Sequence, residues 1–95
     1  MAKGYLIARA VVRDPAAWAR YAAAATEAQR VYGARILVRG GRTEVVEGKG
    51  FARNIVLEFD SFEAARAYAH SPEYAAAREL REGAGSLDMV LVEGP

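Results

Sequence analysis

Short apolar runs separated by polar and glycine-rich segments predict the strands of this chain. Four runs have the length and composition of β-strands, and they cover residues 4–12, 34–39, 53–59 and 86–93. A fifth, shorter run over residues 42–47 lies between glycine turns and predicts an additional strand.

Apolar residues at helical spacing predict two helical regions between these strands. The first runs from Asp14, whose carboxylate suits a helix N-cap, to about Tyr32. The second begins at Asp60 or Ser61 and, after one break, ends at Gly83. A run of alanines makes the first helix thin, so we expect it to pack closely on the sheet.

The order of these elements predicts the fold. Strand, helix, strand, strand, helix, strand is the split βαβ arrangement of a ferredoxin-like α+β domain. It places both helices on one face of an antiparallel sheet. Ninety-five residues suffice for one such domain over residues 1–95 and leave no room for a second.

Both faces of the predicted sheet are apolar, and this pattern predicts a homodimer. A sheet with one solvated face alternates apolar and polar residues, whereas the first strand places Leu6 on one side and Ile7 on the other. Arg9 and Glu58 interrupt the second face. We infer that they pair across neighbouring strands, either to fix the register or to line a ligand pocket.

Composition excludes several classes of function. Thirteen basic and 12 acidic residues give a net charge of +1, which provides no field to attract nucleic acid or a membrane surface. Residues 49–52 match the start of an RNA-recognition signature, but Arg53 then stands where an aromatic residue should stack on a base. The absence of cysteine excludes thiol chemistry and disulfides, and we expect a cytoplasmic protein without a leader or a membrane span.

Few side chains suggest chemistry. His70 is the only histidine, and it lies where the second helical region breaks. It could transfer a proton, or it could only interact with the last carbonyls of the helix. Arg39 and Arg53 flank the glycine-rich arm and could bind an anion, or form ion pairs with neighbouring glutamates. No metal-ligand spacing and no phosphate or dinucleotide motif occurs, so we expect no metal and no cofactor. Six aromatic side chains, Tyr5, Trp18, Tyr21, Tyr32, Tyr68 and Tyr74, are expected to pack in the core, with Tyr5 on the side of Arg9.

Several short segments spread over nearly the whole chain form an ordered set. They are Lys3-Gly4-Tyr5, Ala8-Arg9, Asp14-Pro15, Tyr32-Gly33-Ala34-Arg35, Val38-Arg39-Gly40-Gly41, residues 44–48, residues 53–59, Ser71-Pro72-Glu73-Tyr74 and Val92-Glu93-Gly94. This set resembles the bacterial family catalogued as domain of unknown function 1330. The resemblance implies a dimeric α/β barrel, in which two ferredoxin-like sheets pack face to face. The wider superfamily includes cofactor-free monooxygenases, isomerases and effector-binding modules, so the fold does not select an activity.

Three functional interpretations therefore stay open. The first is a dimeric domain that binds a small anionic or aromatic molecule in the barrel cavity. Its candidate ligand-binding residues are Tyr5, Arg9, Arg39, Arg53 and Glu58. The second is a cofactor-free enzyme of the isomerase or monooxygenase type that uses Glu58 or His70 as its acid or base. The third is a purely structural dimer without a ligand.

Overall fold

The computed structural model describes residues 2–95 and has the predicted α+β architecture. In chain order its elements are β1 (Gly4–Val12), α1 (Pro15–Val31), β2 (Arg35–Arg39), β3 (Arg53–Phe59), α2 (Phe62–Ala69), α3 (Pro72–Glu79) and β4 (Gly85–Glu93). The strands form one antiparallel sheet in the order β2-β3-β1-β4. The four strands of the ferredoxin-like plan are thus confirmed, and the sheet of one chain is open at both edges.

Short polar side chains begin each helix at the predicted positions. The Asp14 carboxylate accepts the Ala17 amide at 3.2 Å, and Ser61 rather than Asp60 caps α2. Ser71 is buried, and its Oγ accepts the Tyr74 amide at 3.0 Å while donating to the Tyr68 carbonyl at 2.7 Å. This double role explains why the helix breaks and restarts here, since one hydroxyl satisfies both ends.

The prediction of a strand over residues 42–47 is wrong. Residues 41–52 contain no strand and form a long connection between β2 and β3, in which Val46 is 86% exposed. Gly40, Gly41 and Gly48 have φ angles of 70°, 90° and 70°, a left-handed backbone that cannot continue a pleated strand. Val45 and Val46 have high β-propensity, which predicted a strand. A strand also requires a neighbouring strand to pair with, and residues 41–52 have none.

The end of the second helical region also differs from the prediction. Helix α3 ends at Glu79, and residues 80–84 turn back toward β4, so that Gly83 lies in this turn rather than at the helix end. Leu80, whose spacing from Tyr74 and Ala77 would place it on the inner face of a longer helix, is therefore exposed.

The core lies between the helices and the inner face of the sheet. Its largest fully buried side chains are Leu6, Leu57, Phe59 and Tyr68. The sheet register aligns Leu57, Leu6 and Leu91 in one row, which confirms the inner side predicted for β1. The backbone of α2 lies close to β1, β3 and β4, whereas α1 runs alongside α3.

Candidate functional site

A cavity of about 580 Å³ separates α1 from the inner face of the sheet. Its apolar walls include Ala19, Ala22 and Ala23 of α1 and, across the space, Ile55 and Met89 of the sheet. Its polar lining side chains are Thr26, Gln29, Arg39, Arg53, Tyr21 and Tyr68. A mostly apolar space with a few polar groups has the size and character of a small-molecule site.

The alanines of α1 create this cavity. We predicted that they would let the helix pack closely on the sheet, and this prediction is wrong. Helix α1 is held by α3, and its aromatic residue Tyr21 packs edge-on against Tyr74 at 6.2 Å between ring centroids. Because a methyl group cannot span the remaining gap to the sheet, the alanine surface becomes a cavity wall.

Two arginines lie at the mouth of the cavity. Arg39 ends β2 and Arg53 begins β3, both are exposed, and both line the cavity. The Nη2 atom of Arg39 donates to the Thr26 hydroxyl at 3.0 Å. Within residues 2–95 neither guanidinium has a carboxylate partner, so the alternative of ion pairs with neighbouring glutamates is not formed within one chain. The mouth therefore has two uncompensated positive charges.

Phenols and an amide form the inner wall. The hydroxyls of Tyr21 and Tyr74 are 2.9 Å apart, and the Gln29 amide donates to the Tyr68 hydroxyl at 3.3 Å. Burial raises the pKa of Tyr68 to about 12 and raises that of Tyr21 well above its ordinary range. Both phenols consequently stay protonated at physiological pH. The chain's single tryptophan, Trp18, also lines the cavity and is a natural fluorescent reporter for it.

The other three predicted ligand-binding residues lie on the opposite, open face of the sheet. Arg9 is aligned with Asn54 on β3 and with Asp88 on β4, and its guanidinium lies 4.6 Å from the centroid of the Phe51 ring. Glu58 is instead aligned with Tyr5. The inferred pair between Arg9 and Glu58 is therefore wrong, because the antiparallel register separates them by four positions along the strands.

Glu58 belongs to a different network at the far end of that face. It accepts from Arg35 Nε at 2.8 Å and from the Tyr5 hydroxyl at 3.1 Å, and Arg35 also reaches Asp60 at 3.1 Å. The hydrogen bond from Arg35, followed by that from Tyr5, holds the pKa of Glu58 below its ordinary value of 4.5. The same bond to Glu58 raises the pKa of Tyr5. Glu58 is thus an ionised partner in a fixed network.

This network predicts a pH dependence of stability. Because the folded-state pKa of Glu58 is lowered, its contribution is present above pH 4.5 and is lost as the pH falls through the lowered value. We expect Glu58→Gln to unfold at lower urea than the wild type at about pH 7, and the difference to shrink progressively as the pH falls below 4.5. Glu82→Gln, an exposed carboxylate outside the network, is the control. A gap between wild type and Glu58→Gln that stays constant over this range would contradict the assignment.

His70 lies apart from both the cavity and the Glu58 network. It caps the C-terminus of α2, where its backbone amide donates to the Arg66 carbonyl at 3.0 Å, and its side chain is exposed on the helix layer. His70 and Glu58 both lie outside the cavity lining. The structure therefore brings Arg39 and Arg53 together, but it does not bring His70 or Glu58 to them.

The open face of the sheet is otherwise apolar. Val38, Val56, Ile7 and Val90 are in register and form one row across all four strands. A shallow depression of about 290 Å³ lies beside this row at Arg9. Residues 2–95 contain no cluster of metal-ligating side chains and no helix long and apolar enough to cross a membrane.

The chain matches one known protein family over nearly its whole length. Residues 3–95 match the family described as a domain of unknown function, DUF1330. The chain belongs to this family. The match covers nearly the whole chain, as the ordered set of short segments predicted. No curated protein sequence matches this DUF1330 chain.

Solved structures show the same fold at low sequence identity. A protein of unknown function from Rhodopseudomonas palustris is 15% identical, with a TM-score of 0.78 over 99% of this chain and 82% of that one. A dimeric ferredoxin-like protein of unknown function from Bacteroides fragilis is 18% identical, with a TM-score of 0.64 over 96% and 95%. The cofactor-independent oxygenase SnoaB from Streptomyces nogalater is 12% identical, with a TM-score of 0.54 over 97% and 92%.

Sequence reasoning missed the inner wall of the cavity. Tyr21 and Tyr68 are buried in the core, which confirms that prediction, but the sequence did not indicate that they also line a cavity with Thr26 and Gln29. A signal was available, because Thr26 and Gln29 are the polar residues on the alanine stripe of the helix. Polar side chains among alanines on a face that should be buried indicate space for something else to bind.

Proposed function

We propose that this DUF1330 protein binds a small aromatic carboxylate in the cavity between α1 and the sheet. The observation that supports the proposal most directly is the pair of uncompensated arginines, Arg39 and Arg53, at the mouth of a largely apolar cavity of about 580 Å³. Guanidinium groups bind carboxylates through two parallel hydrogen bonds, and apolar walls favour a ring system. The ligand thus lies on the helix side of one sheet and not in the space between two sheets that the family resemblance implies.

We further propose that the chain forms a homodimer through the open face. The row Val38, Val56, Ile7 and Val90 exposes apolar side chains that no element of residues 2–95 covers. The structurally similar Bacteroides fragilis protein is dimeric. In such a dimer, Tyr5, Arg9 and Glu58 would lie between the two sheets. There they remain candidate ligand-binding residues of a second, smaller site.

Binding is tested with 2-naphthoate and its neutral analogue 2-naphthamide in isothermal titration calorimetry. We expect Arg39→Ala or Arg53→Ala to weaken naphthoate binding about tenfold each, because a hydrogen bond to a charged group contributes roughly 1.5–3 kcal/mol. Binding of the amide should change less than about twofold.

The matched control is Arg20→Ala, which removes an exposed arginine of α1 outside the cavity lining. Equal loss of naphthoate binding in Arg20→Ala and Arg39→Ala would show a general charge effect instead of a site. Wild-type protein that binds naphthoate no better than about 1 mM would overturn the proposal.

A second candidate is a cofactor-free oxygenase that acts in the same cavity. The similarity of the fold to SnoaB, which is a cofactor-independent oxygenase, is the observation that favours it. Because it uses no other reductant, such an enzyme would take all four electrons from a hydroxyaromatic substrate. One oxygen atom of O2 becomes a quinone carbonyl, and the other leaves as water with the phenol hydrogen and the displaced ring hydrogen. Oxygen uptake with electron-rich hydroxyaromatic carboxylates is the test. Because His70 and Glu58 lie outside the cavity lining, we expect His70→Ala and Glu58→Gln to leave this uptake unchanged.

A further inference from the structure

The buried Tyr68 hydroxyl has a hydrogen atom that the chain does not use. Tyr68 is 1% exposed, lines the cavity, and accepts the Gln29 amide at 3.3 Å. Within residues 2–95 its own O–H donates to no acceptor. If the Gln29 amide flipped so that its oxygen accepted this hydrogen, its NH2 group would have the unused hydrogens instead. In both arrangements this pair, both of whose residues line the cavity, keeps an unused donor.

A second spare donor lies on the same wall. The hydroxyls of Tyr21 and Tyr74 are 2.9 Å apart, and a hydrogen bond between two hydroxyls uses only one of their two hydrogens. Tyr74 lies outside the cavity lining, whereas Tyr21 lines it. When Tyr74 donates to Tyr21, the Tyr21 hydrogen is free to point into the cavity.

Unused donors in a buried apolar space are costly unless something accepts from them. A buried polar hydrogen without a partner costs roughly 1–3 kcal/mol, so native structures seldom leave one. Here the donors lie on the buried inner wall, while the two exposed arginines lie at the mouth. The cavity therefore presents hydrogen-bond donors at its inner wall and positive charge at its entrance.

We propose that the ligand is an aromatic oxo-carboxylate whose ketone or quinone oxygen accepts hydrogen bonds from the inner wall at Tyr68 and Tyr21. This inference rests on the proposed binding of a carboxylate at Arg39 and Arg53, and it adds the group at the other end of the ligand. A ligand with only a carboxylate would leave the inner donors unpaired. The protein therefore distinguishes an oxo-carboxylate from a plain carboxylate through its buried polar groups rather than through the apolar walls.

The test compares two probes of similar shape, anthraquinone-2-carboxylate and anthracene-2-carboxylate, which differ in the two ring carbonyls. Binding is measured by calorimetry, with the quenching of Trp18 as a second readout. We expect wild-type protein to bind the quinone acid at least fivefold more tightly than the hydrocarbon acid. Tyr68→Phe should weaken quinone binding about fivefold and leave anthracene-2-carboxylate binding unchanged.

Unchanged anthracene-2-carboxylate binding also shows that Tyr68→Phe is folded with its cavity intact. Tyr21→Phe provides an independent variant, and Tyr32→Phe is the matched control because its hydroxyl donates to Glu73 at 2.8 Å outside the cavity lining. If both acids bind equally well and still depend on Arg39, the oxo-carboxylate proposal is overturned while the carboxylate site stands. If neither acid binds, the carboxylate site itself fails.

Discussion

Replacing Val90 with aspartate should separate the proposed homodimer into folded single subunits. Val90 lies in β4 on the open face, directly opposite Ile7 of β1, and is 53% exposed in the single chain. Aspartate is therefore tolerated there by one chain but not beneath a second sheet. Each dimer would bury two such carboxylates, at a cost of about 2 kcal/mol or more each, which weakens association roughly a thousandfold.

Sedimentation equilibrium measures this effect directly, because the mass falls from twice 10.3 kDa to 10.3 kDa. Val31→Asp is the matched control, since Val31 has a similar exposure of 56% but lies at the end of α1 on the helix layer. We expect this control to remain dimeric. Wild-type protein that sediments as a single subunit at micromolar concentration would refute the dimer, and a dimeric Val90→Asp protein would move the interface elsewhere.

Replacing Ala22 with phenylalanine should abolish ligand binding without unfolding the protein. Ala22 lines the cavity from α1, and a benzyl group there would occupy space that the proposed ligand requires. We expect 2-naphthoate affinity to fall about a hundredfold or more, because the new ring would occupy the space between α1 and the sheet where the naphthalene ring would lie. Stability should stay within about 1 kcal/mol of the wild type, since the new ring fills an existing void.

The control for this prediction is Ala16→Phe, which adds the same ring to an exposed position of α1 outside the cavity lining. Urea denaturation and calorimetry on both variants separate loss of fold from loss of binding. A strongly destabilised Ala22→Phe protein would show that the cavity closes in solution. Unchanged binding in a stable Ala22→Phe protein would place the ligand elsewhere.

Local sequence signals predicted most of the fold, because each signal depends on contacts between residues that are close together in the chain. Asp14 and Ser71 satisfy amides within three residues, so their helix starts are visible in the sequence. The strand predicted at Val45 and Val46 failed because a strand requires a partner that local sequence does not supply.

The candidate site was predicted only in part. Arg39 and Arg53 were recognisable because they flank a glycine-rich connection, and the fold brings both to one cavity mouth. The pairing of Arg9 with Glu58 failed, because their faces were predicted correctly but their register was not. Antiparallel register depends on the whole pairing of β1 with β3, which aligns Tyr5 with Glu58 instead.

By itself the sequence determined the element order, the two apolar faces of the sheet and membership in the DUF1330 family. The first two follow from residue periodicity and from local capping, which act over a few residues, whereas family membership follows from the ordered set of short segments along the chain. Only the tertiary structure decided that the large cavity lies on the helix side and that Tyr68 and Gln29 meet in it. The reason is physical, because an empty volume depends on how far α3 holds α1 from the sheet.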